Sequence, residues 1–353
     1  MGCILSCLKK NNGQMPLEET TEEPKVYSWD KRDRSRASDF IIDGKKGETV
    51  IKHVGSVNGE QIVIQNCQDS SIYVFDHIAT VNVDDCINCS IFLGPIKSSV
   101  FIRDCKQCRV VVACQQFRTR DCFQIDTFLL CGTQPIIESS SRMKFACYRY
   151  YYSQLDSHFK SAGLSIFNNN WSNIHDFTPV PGEDLNFSYL PVDSKVEDFV
   201  PVPQGEEIES MQIKTDENNS VVPMTWGKRT KLSRESCLLV FFNDGGSSER
   251  ALKFLHSIKS HDANCILVQT KEVSMGPEDA RRVFGSDSYV KAVQQGPVIG
   301  IQMNGDNCVS LCQSVILELM KGTTGLVFVS QSVAAAETQI DNFYSFAEMQ
   351  MGI

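Results

Sequence analysis

Four segments of the chain align on a cysteine: QNCQDSSIYVF (65–75), DDCINCSIFLG (84–94), RDCKQCRVVVA (103–113) and RDCFQIDTFLL (120–130). The anchors are Cys67, Cys86, Cys105 and Cys122, spaced by 19, 19 and 17 residues. A unit this short cannot bury an apolar face alone and must stack on its neighbours. Before each anchor the inward candidates alternate: Ile62 and Ile64, Val81 and Val83, Val100 and Ile102, Phe117 and Thr119. They alternate again after it: Ile72 and Val74, Ile91 and Leu93, Val110 and Val112, Thr127 and Leu129. Period two marks strands with one buried face. Two strands and a corner fill each coil and leave no room for a helical crossover. The expected solution is a parallel β-helix, each coil lying on the last, with the anchor cysteines as an inward ladder of small apolar groups.

The same cysteines permit a metal reading. Cys86-x-x-Cys89 and Cys105-x-x-Cys108 have zinc-ribbon spacing. The interval between the pairs is the repeat itself, however. Cys67 and Cys122 keep the register with Ser70 and Ile125 at the partner positions. A core ladder accounts for all four anchors, and no metal is expected.

The chain has 353 residues, 42% hydrophobic and 22% charged, which suits two or so globular domains. A net charge of −9 with no basic stripe argues against a nucleic-acid partner. The 15 cysteines, an odd number, suit a reducing compartment. No run approaches the roughly 18 apolar residues of a membrane span, and there is no apolar h-region of a secretory signal.

Met1-Gly2-Cys3-Ile4-Leu5-Ser6 matches the myristoylation pattern. Gly2 offers its amine to the acyl chain and Cys3 a thiol for palmitoylation. One myristoyl chain holds a membrane only marginally; Cys3, Cys7 and the pair Lys9-Lys10 are candidates for the second signal. Residues 1–24 are therefore assigned to an acylated, flexible N-terminus and 25–180 to the β-helix domain. Within the latter, the polar stretch up to Glu48 shows little periodicity, so the repeat is placed from about Thr49. Gly163–Phe177 closes it. Residues 181–235, rich in Pro, Asp, Glu and Ser, read as an irregular linker.

From 236 to 353 the pattern alternates between strand and helix. Cys237–Phe242, Cys265–Thr270, Pro297–Met303 and Leu326–Ser330 read as strands. Helices are expected over Ser248–His261, between Pro277 and Gly285, and on the Cys308, Leu311, Cys312, Val315 and Leu319 face; Asp341–Met351 ends the chain. This order predicts a ferredoxin-like α/β domain.

One coil departs from the template. The Cys105-to-Cys122 coil is two residues short, and its variable part is Ala113-Cys-Gln-Gln-Phe-Arg-Thr-Arg120. Four residues before the anchor the other coils carry Val63, Asn82 and Phe101; here stands Arg118. It shares the outward face with Arg120, because Phe117 and Thr119 take the inward one. With Gln115 three residues earlier, Arg118 can present a planar five-donor fork. On pattern alone, a surface arginine paired with a nearby acid is the simpler reading.

Five stretches carry a resemblance: Met1-Gly2-Cys3, Gly94-Pro-Ile-Lys-Ser-Ser99, Cys114-Gln-Gln-Phe-Arg118, Thr133-Gln-Pro-Ile-Ile-Glu138 and Trp171-Ser-Asn-Ile-His-Asp-Phe177. The chain resembles the tubulin-folding cofactor C family over about residues 25–180. The resemblance implies a right-handed β-helix and a GTPase-activating role. It puts the arginine finger on Arg118, with Gln115 orienting it. Ser98, Ser99, Gln115, Gln116, Phe117 and Arg118 are placed near the nucleotide, and Glu138 and Phe177 at the partner interface. The implied partner is an Arf-like small GTPase in its GTP form, Arf-like protein 3, which supplies the GTP and Mg²⁺; no cofactor belongs to this chain itself. Membrane attachment through the acyl groups, the cytoplasmic face of the plasma membrane, the cilium and ciliary base, and the traffic of lipidated cargo complete what it implies. A tubulin-folding chaperone, or an effector that reads the GTP state without catalysis, are the alternatives.

Gln295-Gly-Pro-Val-Ile-Gly300 is similar to nucleoside diphosphate kinase. That chemistry needs a histidine nucleophile well after this stretch. The last histidine is His261, so no phosphotransfer is expected. His53, His77, His158 and His175 read as structural or surface residues. Tyr148-Arg-Tyr-Tyr-Tyr152 reads as core or interface.

Overall fold

Asparagine and aspartate set the corners of this fold. Asn66, Asp85, Asp104 and Asp121, each directly before an anchor cysteine, adopt left-handed φ values of 54–55°. Asp69, Asn88, Gln107 and Gln124 do the same just after, at 51–57°. Short polar side chains tolerate this conformation better than most. The corner they make is repeated once more at Ser139 and Arg142. The computed structural model describes residues 38–181, 185–323 and 325–351, and Asp39–Ile353 forms one compact unit.

Between corners the coils carry β1 (Ile41–Asp43), β2 (Thr49–Lys52), β3 (Ile62–Gln65), β4 (Ser71–Val74), β5 (Val81–Asp84), β6 (Ser90–Arg103), β7 (Arg109–Arg120), β8 (Asp126–Cys131), β9 (Ile136–Glu138) and β10 (Met143–Cys147). They pair in parallel. One ladder runs β1-β3-β5-β6-β7-β9 and the other β2-β4-β6-β7-β8-β10. The expected inward residues stand opposite one another: Ile64, Val83, Ile102, Thr119 and Ile137 form one column. The anchor cysteines are buried, and their thiols donate to the carbonyls two residues earlier, at 3.2, 3.4, 3.1 and 3.3 Å. Ser140 takes the next place in the column and makes the same bond at 2.8 Å.

The first coil begins at Ile41 rather than Thr49. β1 has a single inward residue, Ile42, too little for alternation to register. A larger departure concerns the second ladder, whose outward face is also buried. Tyr73, Phe75, Phe92, Val111, Phe128 and Leu130 form a second core with Tyr148, Tyr150 and Tyr152, and α1 (Leu155–Ala162) covers it. β11 (His175–Asp176) extends the first ladder beyond β9, and β12 (Phe187–Tyr189) the second beyond β10. The stretch that follows β12 has little regular structure apart from α2 (Glu206–Ser210), yet Val196, Val200, Ile208, Met211 and Val222 are buried in that second core. Irregular backbone is held there by apolar anchors rather than by periodicity.

The remaining elements are β13 (Ser236–Phe241), α3 (Ser247–His261), β14 (Ile266–Val273), α4 (Pro277–Phe284), α5 (Val290–Val293), β15 (Val298–Asn304), α6 (Cys308–Leu319), β16 (Val327–Val329) and α7 (Val333–Met351). Their antiparallel sheet has the order β14-β15-β13-β16, the ferredoxin-like arrangement. α7 starts at Val333, not Asp341, because its first turns are a Val-Ala-Ala-Ala run. Alanine favours helix without creating an apolar stripe.

The buried carboxylate of Asp76 ties two coils together. It accepts backbone N–H groups from Val57 and Asn58, both at 2.8 Å, and from His77 at 2.9 Å. A Cβ on Gly94 of the next coil would overlap the Asp76 carbonyl oxygen. Burial pushes the Asp76 carboxyl upward, but the three N–H groups and nearby His158 outweigh it and hold it below the usual carboxylate range. Asp76→Ala should cost about 2–4 kcal/mol in urea denaturation at neutral pH, since it orphans buried donors. A depressed carboxyl contributes stability above its unfolded pKa and loses it as pH falls through the folded one. The gap between wild type and variant should therefore close below about pH 4.

Candidate functional site

β6 and β7 are neighbours of unequal length, 14 and 12 residues. Leu93 faces Val112, Ile96 faces Cys114 and Ser99 faces Gln116, so the two-residue deficit is absorbed in steps at Gly94-Pro95 and Lys97-Ser98. The irregularity re-aims the chain just before the arginine-bearing segment, as bulges do. Beyond it the register is regular again. Arg118 stands between Phe101 and Ile136, and Arg120 between Arg103 and Glu138.

Arg118 is exposed on this outward face, and among the described residues its side chain has no hydrogen bond or ion pair. Its neighbours differ. Arg103 grips Asp84 with two bonds of 2.7 and 3.0 Å, and Arg120 meets Asp121 at 3.3 Å. The simpler reading from the sequence, an arginine paired with a nearby acid, fits those two and not Arg118. The column of Arg118 supplies Val63, Asn82, Phe101 and Ile136, with no acid one rung away.

Glu138 is exposed and lies one coil over and two residues along, about 8 Å from Arg118 by strand geometry. Phe177, 59% exposed, follows β11 on the next coil, its ring edge-on to His175 at 4.5 Å. Arg118, Glu138 and Phe177 thus share one face. Ser98 is exposed beside it.

The structure places the other expected positions as follows. The Phe117 side chain is fully buried, packed edge-on against Phe145 at 6.0 Å, so it supports the strand from within. Ser99 is buried and donates to Gln116 Oε1 at 3.0 Å, which fixes that glutamine. No hydrogen bond joins Gln115 to Arg118 among the described residues. The main-chain carbonyl of Gln115 accepts the Thr133 N–H and hydroxyl, both at 3.0 Å. A Cβ on Gly132 would overlap the Gln115 amide, so glycine leaves the space in which that side chain lies. Gly2 and Cys3 fall outside the described residues.

One cluster escaped the sequence reading. His158 on α1 comes to the Asp76-His77 corner, and the three offer ligand atoms within 4.8 Å of one another. His77 Nδ1 lies 3.1 Å and His158 Nε2 3.7 Å from Asp76 Oδ1, with the Tyr152 hydroxyl 2.7 Å from His158 Nδ1. Burial holds the His158 imidazole below its ordinary pKa against the pull of Asp76. The neighbouring pair at 76–77 was visible in the sequence; the third member, some eighty residues on, was not.

The family profile described as "Tubulin binding cofactor C" matches residues 59–177, the coils that carry this face. Protein XRP2 of Xenopus laevis is 49% identical over all of both chains. The chain belongs to the XRP2 family. This is the retinitis pigmentosa 2 branch of the cofactor C-like proteins, in agreement with the motifs quoted above. Human tubulin-specific chaperone C is more distant than XRP2, 26% identical over 42% of this chain and 44% of its own. The solved Tubulin Binding Cofactor C from Leishmania major is 20% identical, with a TM-score of 0.30 over 46% of this chain and 92% of that one.

The difference between paired and unpaired arginines is testable in this XRP2-family chain without any partner. Phenylglyoxal, followed by peptide mass mapping, should modify Arg118 well before Arg103. Equal rates would mean that Arg118 is held by a group beyond the described residues.

Proposed function

We propose that this chain is a GTPase-activating protein that inserts Arg118 into the nucleotide site of an Arf-like small GTPase, Arf-like protein 3, in its GTP form. The observation that carries the reading is an exposed arginine with no acid in its column, set on a strand whose neighbours fix its position. Membership of the XRP2 family and the cofactor C match support it.

The physics of hydrolysis suits the residue. Negative charge spreads over the γ-phosphoryl oxygens and the β–γ bridge in the transition state, and a guanidinium from a second protein neutralises it while excluding water. Because Arg118 has no acid to leave among the described residues, insertion breaks no ion pair within them. A finger of this kind contributes about 10³–10⁵ in rate, or roughly 4–7 kcal/mol of barrier. Glu138 and Phe177 would contact the GTPase surface, and Ser98 and Gln116 the edge of its nucleotide site. GTP and Mg²⁺ come with the partner. Acylation at Gly2 and Cys3 would hold the protein on the cytoplasmic face of the plasma membrane and at the cilium, where hydrolysis resets the GTPase that releases lipidated cargo.

The cofactor C match also favours a second reading, a tubulin-folding chaperone that applies the same arginine to tubulin's GTP. Single-turnover GTP hydrolysis decides between them. Wild type should accelerate Arf-like protein 3, whereas Arg118→Ala and Arg118→Lys should both lose at least about 10³-fold of that stimulation while still binding, because lysine lacks the planar fork. Near-normal stimulation by Arg118→Ala would sink the assignment. Stimulation of tubulin GTP hydrolysis alone would move it to the chaperone reading.

A further inference from the structure

Between β4 and β5, Asp76 and His77 form a corner to which α1 brings His158. An ionised carboxylate offers about four lone-pair sites. The N–H groups of Val57 and Asn58 fill two on Oδ2, and the His77 N–H takes one on Oδ1. Oδ1 keeps the fourth, and two imidazole nitrogens stand around it: His77 Nδ1 at 3.1 Å and His158 Nε2 at 3.7 Å. Hydrogen bonding within the protein does not account for both. A proton on His77 Nδ1 satisfies the shorter contact, but 3.7 Å is too long for a bond from His158. His158 Nε2 makes no hydrogen bond among the described residues.

The far nitrogen of that ring, Nδ1, lies 2.7 Å from the Tyr152 hydroxyl. In the tautomer that donates from Nδ1 to Tyr152, the Nε2 lone pair faces Asp76 Oδ1. Ligating imidazoles are oriented in this way, by a hydrogen bond from the nitrogen that does not bind the metal. The three candidate ligand atoms lie within 4.8 Å of one another. Tetrahedral zinc with bonds of about 2.0–2.1 Å sets its ligand atoms about 3.3 Å apart. The two contacts to Oδ1, 3.1 and 3.7 Å, bracket that edge. Two imidazoles and one carboxylate suit zinc, whereas calcium and magnesium prefer a shell of oxygens. The His77 side chain is 27% exposed, so an ion can enter past it to the buried Asp76 and His158.

We propose that Asp76 Oδ1, His77 Nδ1 and His158 Nε2 bind one zinc ion, with water as the fourth ligand, and that the ion pins α1 to the coil corner. Binding releases to solvent the proton that His77 Nδ1 otherwise shares with Asp76. The site uses neither the cysteine ladder, for which no metal was expected, nor any residue assigned to the GTPase reading. The test takes the full-length protein, stripped with EDTA and kept reduced by a phosphine. It is titrated with zinc chloride by calorimetry and, separately, with cobalt(II) chloride by absorption spectroscopy. One equivalent of zinc should bind, at least about tenfold more weakly in His158→Gln and in His77→Gln. Cobalt should give tetrahedral d–d bands without a thiolate charge-transfer band. Circular dichroism checks the fold of each variant; His77→Gln alters a partly exposed position, and the cobalt spectrum of wild type needs no variant. Absence of stoichiometric zinc, a thiolate band, or equal binding by wild type and either folded variant overturns the proposal.

Discussion

Each rung of the β-helix depends on the rung beneath it. Parallel pairing at a fixed repeat puts like positions of successive coils in contact, about 4.8 Å apart. A side chain in the column must therefore fit its own coil and both neighbours. At the anchor corner the backbone turns through left-handed residues and leaves little volume. Cysteine fits because it is small and apolar, and because its thiol can donate weakly to the carbonyl two residues back. Serine at position 140 does the same with a stronger donor. A large side chain at one anchor would displace three coils rather than one.

That constraint explains why the shortened coil matters. Losing two residues keeps the inward column inward, because side chains alternate with period two, but the ladder must step where the loss falls. The loss is taken at the Gly94-Pro95 and Lys97-Ser98 corner, where backbone can bulge, and register is recovered by Ser99. The following segment is held by Phe117 inside, by Ser99 through Gln116, and by Gly132 and Thr133 through Gln115. Arg118 projects from this frame with its own side chain unbound. Rigid support and an uncommitted guanidinium are what a group needs if it is to act on another molecule, because little ordering entropy remains to be lost from the backbone.

What the sequence disclosed follows from what period can disclose. The coils, their inward residues and the alternating strands and helices after Cys237 were legible because each repeats a rule over many residues. The second core was not. Tyr73, Phe75, Phe92 and Phe128 are outward positions of their strands, and only their aromatic character hinted at a cover. That cover comes from Tyr148–Tyr152, α1 and a stretch with no periodicity at all. At the site, Arg118 was singled out because it breaks its column, and the family resemblance rather than the pattern gave it a role. Phe117 and Ser99 were placed near the nucleotide by the family resemblance, although alternation already put the Phe117 side chain inside. His158 could not be joined to Asp76 without knowing where α1 lands.

A stacked solenoid has open ends, and they need closing. Trp171 is buried in the core of the last coils, its indole N–H bonded to Thr225 at 2.9 Å and its ring under Arg229. The adjoining residues turn outward to meet the α/β sheet. Asn168 exchanges bonds of 2.8 and 3.0 Å with the Glu272 backbone, Thr270 donates to the Phe167 carbonyl at 2.7 Å, and Trp226 and Gly227 pair with Leu267 and Val268. The edge strand β14 is thereby covered from the β-helix side. Each module satisfies backbone groups that the other would leave exposed, an end in one case and an edge in the other. This mutual capping gives the α/β module a structural role at the end of the β-helix.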